Sequence, residues 1–209
     1  MPAAQSEYLR DLSESQWQEE LKVALQGDIR NAFAEAFPAN YQHEYSHETA
    51  LADIALFQQL GSEQPIAIKL YRYDSDGDTV FRIRIVHETT AIALSDILPI
   101  LENFGLRVIG ERPYHITPVN ETSYWLHDFE LSVAESIQDL NVITGVFEIA
   151  LMNTWQKHAE SDLFNSLVLS AKMEWRSVVM LRAYAKYMKQ IALPYTRPYI
   201  AATLVKHAE

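Results

Sequence analysis

The spacing of apolar residues predicts helix first. Over Leu9–Phe37, Leu12 is followed by Trp17, Leu21, Leu25 and Ile29 at near-fourfold intervals, with glutamates on the other face. Gly27 weakens this helix and is a candidate break. Pro38 ends it, because the residue before a proline is pushed out of helical geometry. Asn40–Glu48 is polar and reads as a linker. Helical spacing returns over Thr49–Leu60, with Leu51, Ile54, Ala55 and Leu60 on one side and Thr49 as candidate cap.

The period then shortens to two. Ile66–Tyr73 alternates from Ile68 onward, and Val80–Val86 places Arg82 and Arg84 on one face with Phe81, Ile83 and Ile85 on the other. Asp74-Ser-Asp-Gly-Asp between them is a hairpin turn. Its acids lack the downstream glutamate and full spacing of a calcium loop. Next comes a helix carrying Ile97, Leu98, Leu101 and Phe104, with Ser95 or Asp96 as cap and Pro99 in its first turn. Gly105 is a left-handed stop that leads straight into a strand. Leu106–Thr117 and Ser123–Leu131 are strands separated by Pro118-Val-Asn-Glu-Thr.

From Thr49 the order is therefore helix, strand, strand, helix, strand, strand. This is a circular permutation of the ferredoxin-like sandwich, whose first and last strands are neighbours that the Asp76-Gly77 turn can join. Beyond Val133 the pattern is purely helical. Ile143, Phe147, Leu151 and Trp155 recur every four residues within Ile137–Lys157, and Phe164–Leu169 is a short apolar piece. Trp175–Ala192 carries one stripe of Val178, Leu181, Ala185, Met188 and Ala192, and a second of Met180, Tyr184, Tyr187 and Ile191. Arg182, Lys186 and Lys189 are assigned to the opposite, solvated face. The tyrosines and methionines suit a ligand box, but core packing explains their spacing without one. Pro194 and Pro198 bracket a turn before a final helix at Tyr199–His207. The fold class is α+β, divided as an N-terminal helix and linker (1–48), a permuted α+β domain (49–135) and a helical segment (136–209) truncated at its C-terminus.

Composition narrows the function classes. At 48% hydrophobic and 22% charged, the 209 residues suit a globular chain. No run of about 18 uncharged apolar residues predicts a membrane span. The opening residues lack a secretion signal, and the absence of cysteine excludes disulfides and thiolate chemistry. Cytoplasm is the expected location. The net charge of −11 is uneven. From Lys172 onward Lys172, Arg176, Arg182, Lys186, Lys189, Arg197 and Lys206 face only Glu174 and Glu209, so the first part is strongly acidic. Opposite fields in one chain point to docking. No aromatic-interleaved basic loop points to nucleic acid.

His43-Glu-Tyr-Ser-His47 matches the H-E-x-x-H zinc-protease pattern, which needs both histidines one helical turn apart and Glu44 as general base. Here it follows Pro38 with no apolar flank, and His87, His115 and His127 fall in strand-like segments without ligand spacing. A polar connector is the simpler reading, with a zinc hydrolase on His43, Glu44 and His47 the remote alternative.

Longer motifs carry a family resemblance. The run from Leu94 to Tyr114 resembles the ACT-type segment of the very large bacterial NAD-dependent glutamate dehydrogenases. So do Phe164-Asn-Ser-Leu-Val-Leu and Trp175-Arg-Ser-Val-Val-Met-Leu-Arg-Ala-Tyr-Ala-Lys-Tyr, with Phe37-Pro-Ala-Asn-Tyr and Ala52-Asp-Ile upstream. The resemblance runs from Trp17 to His207. It implies the last ACT-like domain and first helical segment, lying before the catalytic domain of an enzyme that oxidises L-glutamate to 2-oxoglutarate and ammonium with NAD. The chain departs from that family at Lys172-Met173, where a glycine is usual after Ala171. It also lacks a glycine in His87-Glu-Thr-Thr-Ala-Ile-Ala-Leu, where backbone N–H groups approach an amino acid in ligand-binding ACT domains.

No G-x-G-x-x-G follows a strand, and Gly105 and Gly110 are spaced wrongly for one. The expectation is a non-catalytic regulatory and assembly fragment with no catalytic, cofactor-binding or metal residues of its own, NAD belonging to the parent. Its partners are neighbouring domains and subunits of a homo-oligomer, without nucleic acid or membrane. An allosteric amino-acid sensor in the same parent is the alternative.

Overall fold

The computed structural model describes residues 14–119 and 122–208, so the predicted helical residues Leu9–Ser13 lie outside the described part. Four helices come first: α1 (Glu14–Ala24), α2 (Gly27–Phe33), α3 (Ala39–Glu44) and α4 (His47–Phe57). Strands β1 (Ile66–Tyr71) and β2 (Val80–Glu88), helix α5 (Leu94–Asn103), and strands β3 (Arg107–Ile116) and β4 (Tyr124–Ser132) follow. The chain ends in α6 (Asn141–Trp155), a 3-10 turn at Leu163–Ser166 running into α7 (Leu167–Ser170), α8 (Trp175–Gln190) and α9 (Arg197–Lys206).

The sheet is antiparallel with the order β1-β2-β4-β3. A ferredoxin-like sandwich whose chain starts at its last strand has this order, so the permuted arrangement is the observed one. The hairpin at Asp74–Asp78 joins the two neighbours. Its backbone closes with Val80 N–H on Gly77 O at 2.9 Å, and Asp76 accepts from Tyr73 N–H at 3.0 Å.

The chain divides into two compact units, each drawing on all four strands. The first holds the chain up to Lys69 with Arg84–Ile92 and Glu111–Asp128. Its core gathers Trp17, Leu21, Phe33, Phe37, Tyr41, Tyr45, Ile54 and Phe57 with Val86, Ile116 and Leu126 from the strands. Gly27 does break the first helix, with Gln26 extended and Gly27 at φ +56°. Ser46, rather than Thr49, caps α4, accepting from Thr49 N–H at 3.4 Å. The predicted polar linker is a correction of larger consequence. Residues 39–44 are helical, and Tyr41 and Tyr45 are buried within an aromatic cluster.

The second unit holds Leu70–Ile83, Ala93–Gly110 and Phe129–Glu209. Helix α5 starts at Leu94 behind Ala93, so neither Ser95 nor Asp96 caps it, and Pro99 falls in its second turn rather than its first. There the ring removes the N–H that would bond to Ser95. Gly105 terminates the helix at φ +81° as expected. Phe104 meets Phe147 of α6 edge to face at 5.2 Å. Ile143, Phe147 and Leu151 are all buried, as their fourfold spacing predicts. Residues 133–140 precede α6 as irregular chain. They are pinned where Arg72 donates to Val80 O, Asp78 O and Ile137 O at 2.8, 3.1 and 2.8 Å.

Candidate functional site

Backbone geometry takes the zinc-like motif apart. His43 and Glu44 close α3, Tyr45 is extended (φ −125°, ψ 148°), and Ser46 caps a new helix that His47 opens. The two imidazoles therefore do not share a helical turn, as zinc ligation by this motif requires. Glu44 is engaged by Arg112 and accepts from Tyr114 Oη at 2.9 Å, and His47 lies 3.1 Å from Glu20. Among the described residues, no group of three or more histidines and carboxylates is placed to hold a metal. The zinc-hydrolase reading falls on that geometry. His87, His115 and His127 do lie in strands. His127 accepts from Ile92 N–H at Nε2 (3.1 Å), which leaves its proton on Nδ1, 2.8 Å from Glu111.

A buried ionic cluster replaces the expected linker in the first unit. Arg84 donates to both oxygens of Asp53 on α4 at 2.6 Å, and its guanidinium lies 4.4 Å from the centre of the Tyr45 ring. Tyr41 donates to Asp53 at 2.5 Å, while Tyr45 donates to Asp128 of β4. Asp53, Arg84 and Asp128 are all buried. Burial raises the Asp53 carboxyl above its ordinary range against the pull of Arg84. The same cause, reinforced by Asp53, holds the Tyr41 phenol well above its usual value, and burial also raises Tyr114.

Those two tyrosines set an alkaline limit. A raised phenol keeps its proton in the folded chain, so its contribution is whole below the unfolded value near pH 10. It is lost as pH climbs from there toward the folded value, at about 1.4 kcal/mol per pH unit for Tyr41. Urea midpoints are expected to fall from pH 10 to 12, and Tyr41→Phe to flatten that slope.

In the second unit the long helix α8 departs from expectation on both faces. Val178 and Ala185 are buried, but so is Arg182, at 3% exposure. Arg182 donates to both oxygens of Asp162 at 2.9 Å, to Asn165 Oδ1 at 2.7 Å and to Glu160 O at 3.2 Å. The residues of the second stripe, expected in the core, are exposed: Met180 53%, Tyr184 59%, Tyr187 58% and Ile191 53%. Tyr195 and Tyr199 are exposed as well, their rings stacked at 5.5 Å. Lys186 pairs with Glu160 beside it.

This is a solvent-facing strip of large apolar side chains on one helix, and such strips mark interaction surfaces rather than catalytic ones. The glycines fit no dinucleotide loop. Gly105 ends a helix instead of opening one, with Ser166 Cβ 3.3 Å from where a Cβ would stand, and Gly110 lies inside β3.

Comparison with known proteins agrees with an α+β module followed by helices. Three glutamate dehydrogenase models match the chain: helical motif 2 over residues 26–60, the ACT3 domain over 65–143 and helical motif 3 over 159–209. The chain belongs to the NAD-specific glutamate dehydrogenase family. The NAD-specific glutamate dehydrogenase of Halomonas elongata is 41% identical over 182 residues, covering 87% of this chain and 11% of the relative. That of Pseudomonas aeruginosa is 37% identical over 192 residues, 91% of this chain and 12% of the relative. That of Mycobacterium tuberculosis is 30% identical over 181 residues, 84% and 11% respectively. The chain thus spans roughly a tenth of the length of these relatives. Helix α4 falls within the helical-motif match, and all four strands fall within the ACT3 match. No helix among the described residues is long and apolar enough to cross a membrane.

Proposed function

We propose that the chain is a non-catalytic regulatory and assembly region of an NAD-dependent glutamate dehydrogenase. The parent reaction takes L-glutamate, NAD and water to 2-oxoglutarate, ammonium and NADH, and serves glutamate catabolism in the cytoplasm. The observation that carries this reading is the exposed strip of Met180, Tyr184, Tyr187 and Ile191 on α8. Aromatic side chains held on a helix bury large area at small entropic cost when a partner covers them. Lys189 and Lys206 lie on the same basic segment, so a partner surface with apolar and acidic character fits it. Neighbouring domains and other subunits of a homo-oligomeric parent are the natural source of that surface. The boundaries at residues 48 and 135 belong to the same proposal.

The test compares the 209-residue chain with the full-length parent, following NAD reduction at saturating glutamate. Activity is expected only in the parent. In that parent, Tyr184→Ser combined with Tyr187→Ser is expected to loosen the assembly, read by sedimentation and light scattering. Turnover by the 209-residue chain alone, or an unchanged assembly in the double variant, overturns the reading.

A further inference from the structure

Ile92 is the one buried residue in the otherwise exposed run 89–96, which follows β2 in the chain. Its N–H donates to Nε2 of His127 on β4, itself 3% exposed, at 3.1 Å. A ring nitrogen accepts only when it carries no proton, so this bond exists for the neutral imidazole alone. Two residues earlier the segment is held by a second histidine with the reverse requirement. Nδ1 of His87 lies 3.0 Å from the Thr90 carbonyl oxygen. A carbonyl only accepts, so that nitrogen bears a proton whatever the charge of its ring. Acid therefore leaves the His87 contact in place and removes the His127 contact.

The surroundings of His127 favour the charged ring once the segment has left. Glu111 of β3 faces its Nδ1 at 2.8 Å, and a carboxylate there stabilises the imidazolium. Trp125 lies 6.4 Å away on the same strand, with His115 of β3 stacked on it at 4.5 Å. Asp128, the next residue on β4, is turned to Tyr45 and Arg84. The neutral ring thus holds both Glu111 and Ile92, whereas the charged ring keeps Glu111 and repels the Ile92 N–H. Thr89 adds a bias toward release, because its φ of +66° crowds a β-branched side chain.

We propose that His127 is a proton-operated latch on residues 89–92. The neutral ring holds the segment through the Ile92 N–H, and protonation at Nε2 releases it while Glu111 takes the charge. The closed form carries no proton on Nε2 and the released form carries one. Lowering the pH therefore favours release, by up to about tenfold per pH unit.

The test is amide hydrogen exchange of the 209-residue chain, followed by NMR from about pH 7.5 to about pH 5, the range in which histidine changes charge. The protection factor of Ile92 is expected to fall at least about tenfold across that range. That of Thr117, whose N–H donates to Ala36 O at 3.1 Å in the same unit, is expected to stay constant. In His127→Gln an amide oxygen can accept from Ile92 at either pH, so the dependence is expected to vanish. In Glu111→Gln the charged ring loses its partner, and the fall is expected to move to lower pH. Constant protection at Ile92, or a fall that persists in His127→Gln, overturns the latch. A parallel fall at Ile92 and Thr117 is unfolding of the whole unit and overturns it too. Ring ¹⁵N shifts of His127 in the unsubstituted chain give a check that needs no variant. A proton on Nε2 at the upper pH, or a ring still neutral once Ile92 exchanges freely, overturns the proposal.

Discussion

Replacing Arg84 with methionine is expected to destabilise the chain by about 3–5 kcal/mol, the largest single-site effect in the first unit. Methionine preserves much of the arginine's length and apolar stem, so the loss isolates the charge. What remains is Asp53, wholly buried, with Tyr41 still donating to it and Asp128 nearby as a like charge. A buried carboxylate without its cation either keeps an unpaired charge or takes up a proton, and both cost stability. The comparison that checks this is the double variant Asp53→Leu with Arg84→Met. Removing both charges is expected to recover only part of the loss: a buried ion pair and an apolar pair of similar volume are close in energy, but buried Asp128, 3.6 Å from Arg84, still loses the guanidinium. Urea midpoints of the parent, both single variants and the double give the coupling directly. A single Arg84→Met variant within 1 kcal/mol of the parent would show that the cluster is not closed to water.

Arg182→Met is expected to cost roughly 3 kcal/mol, toward the lower part of the range for a broken buried pair. The lower figure follows from Asp162, which keeps 32% of its side chain exposed and so retains part of its hydration when the guanidinium is gone. The remaining loss comes from Asn165, which is buried and holds the 3-10 turn against α6 through Thr154 Oγ1 at 3.3 Å. Arg182→Lys is expected to recover little. A single ammonium group cannot reproduce a planar fork that reaches Asp162, Asn165 and a main-chain carbonyl together. Thermal midpoints of the three proteins decide it.

The strand order was legible because period-two alternation, the Asp76-Gly77 turn and the stop at Gly105 are local signals with one structural meaning each. Buried polar groups carry no such signal. Phe37, Tyr41 and Tyr45 do repeat every four residues, and that spacing could have revealed α3 as a buried helix. The polar residues between them and the break at Tyr45 hid it. Arg182 stands at helical spacing from Val178 and Ala185, yet a cation reads as solvated unless its partner is known. That partner, Asp162, is twenty residues away in sequence and unreachable by any periodicity. Two adjacent apolar stripes on α8 posed a related ambiguity. Spacing shows that both are apolar, but only packing shows which one meets a core. The usual glycine after Ala171 has its explanation in the left-handed backbone of Lys172.

The pairing of Asp53 with Arg84 has a bearing on inheritance. Asp53 falls in the match to helical motif 2 and Arg84 in the match to the ACT3 domain. The seam between two recognisable sequence blocks therefore runs through one buried ion pair. Replacing either block alone with one that lacks the partner residue would strand a charge in the interior, so such a recombinant is expected to fold only when both blocks travel together.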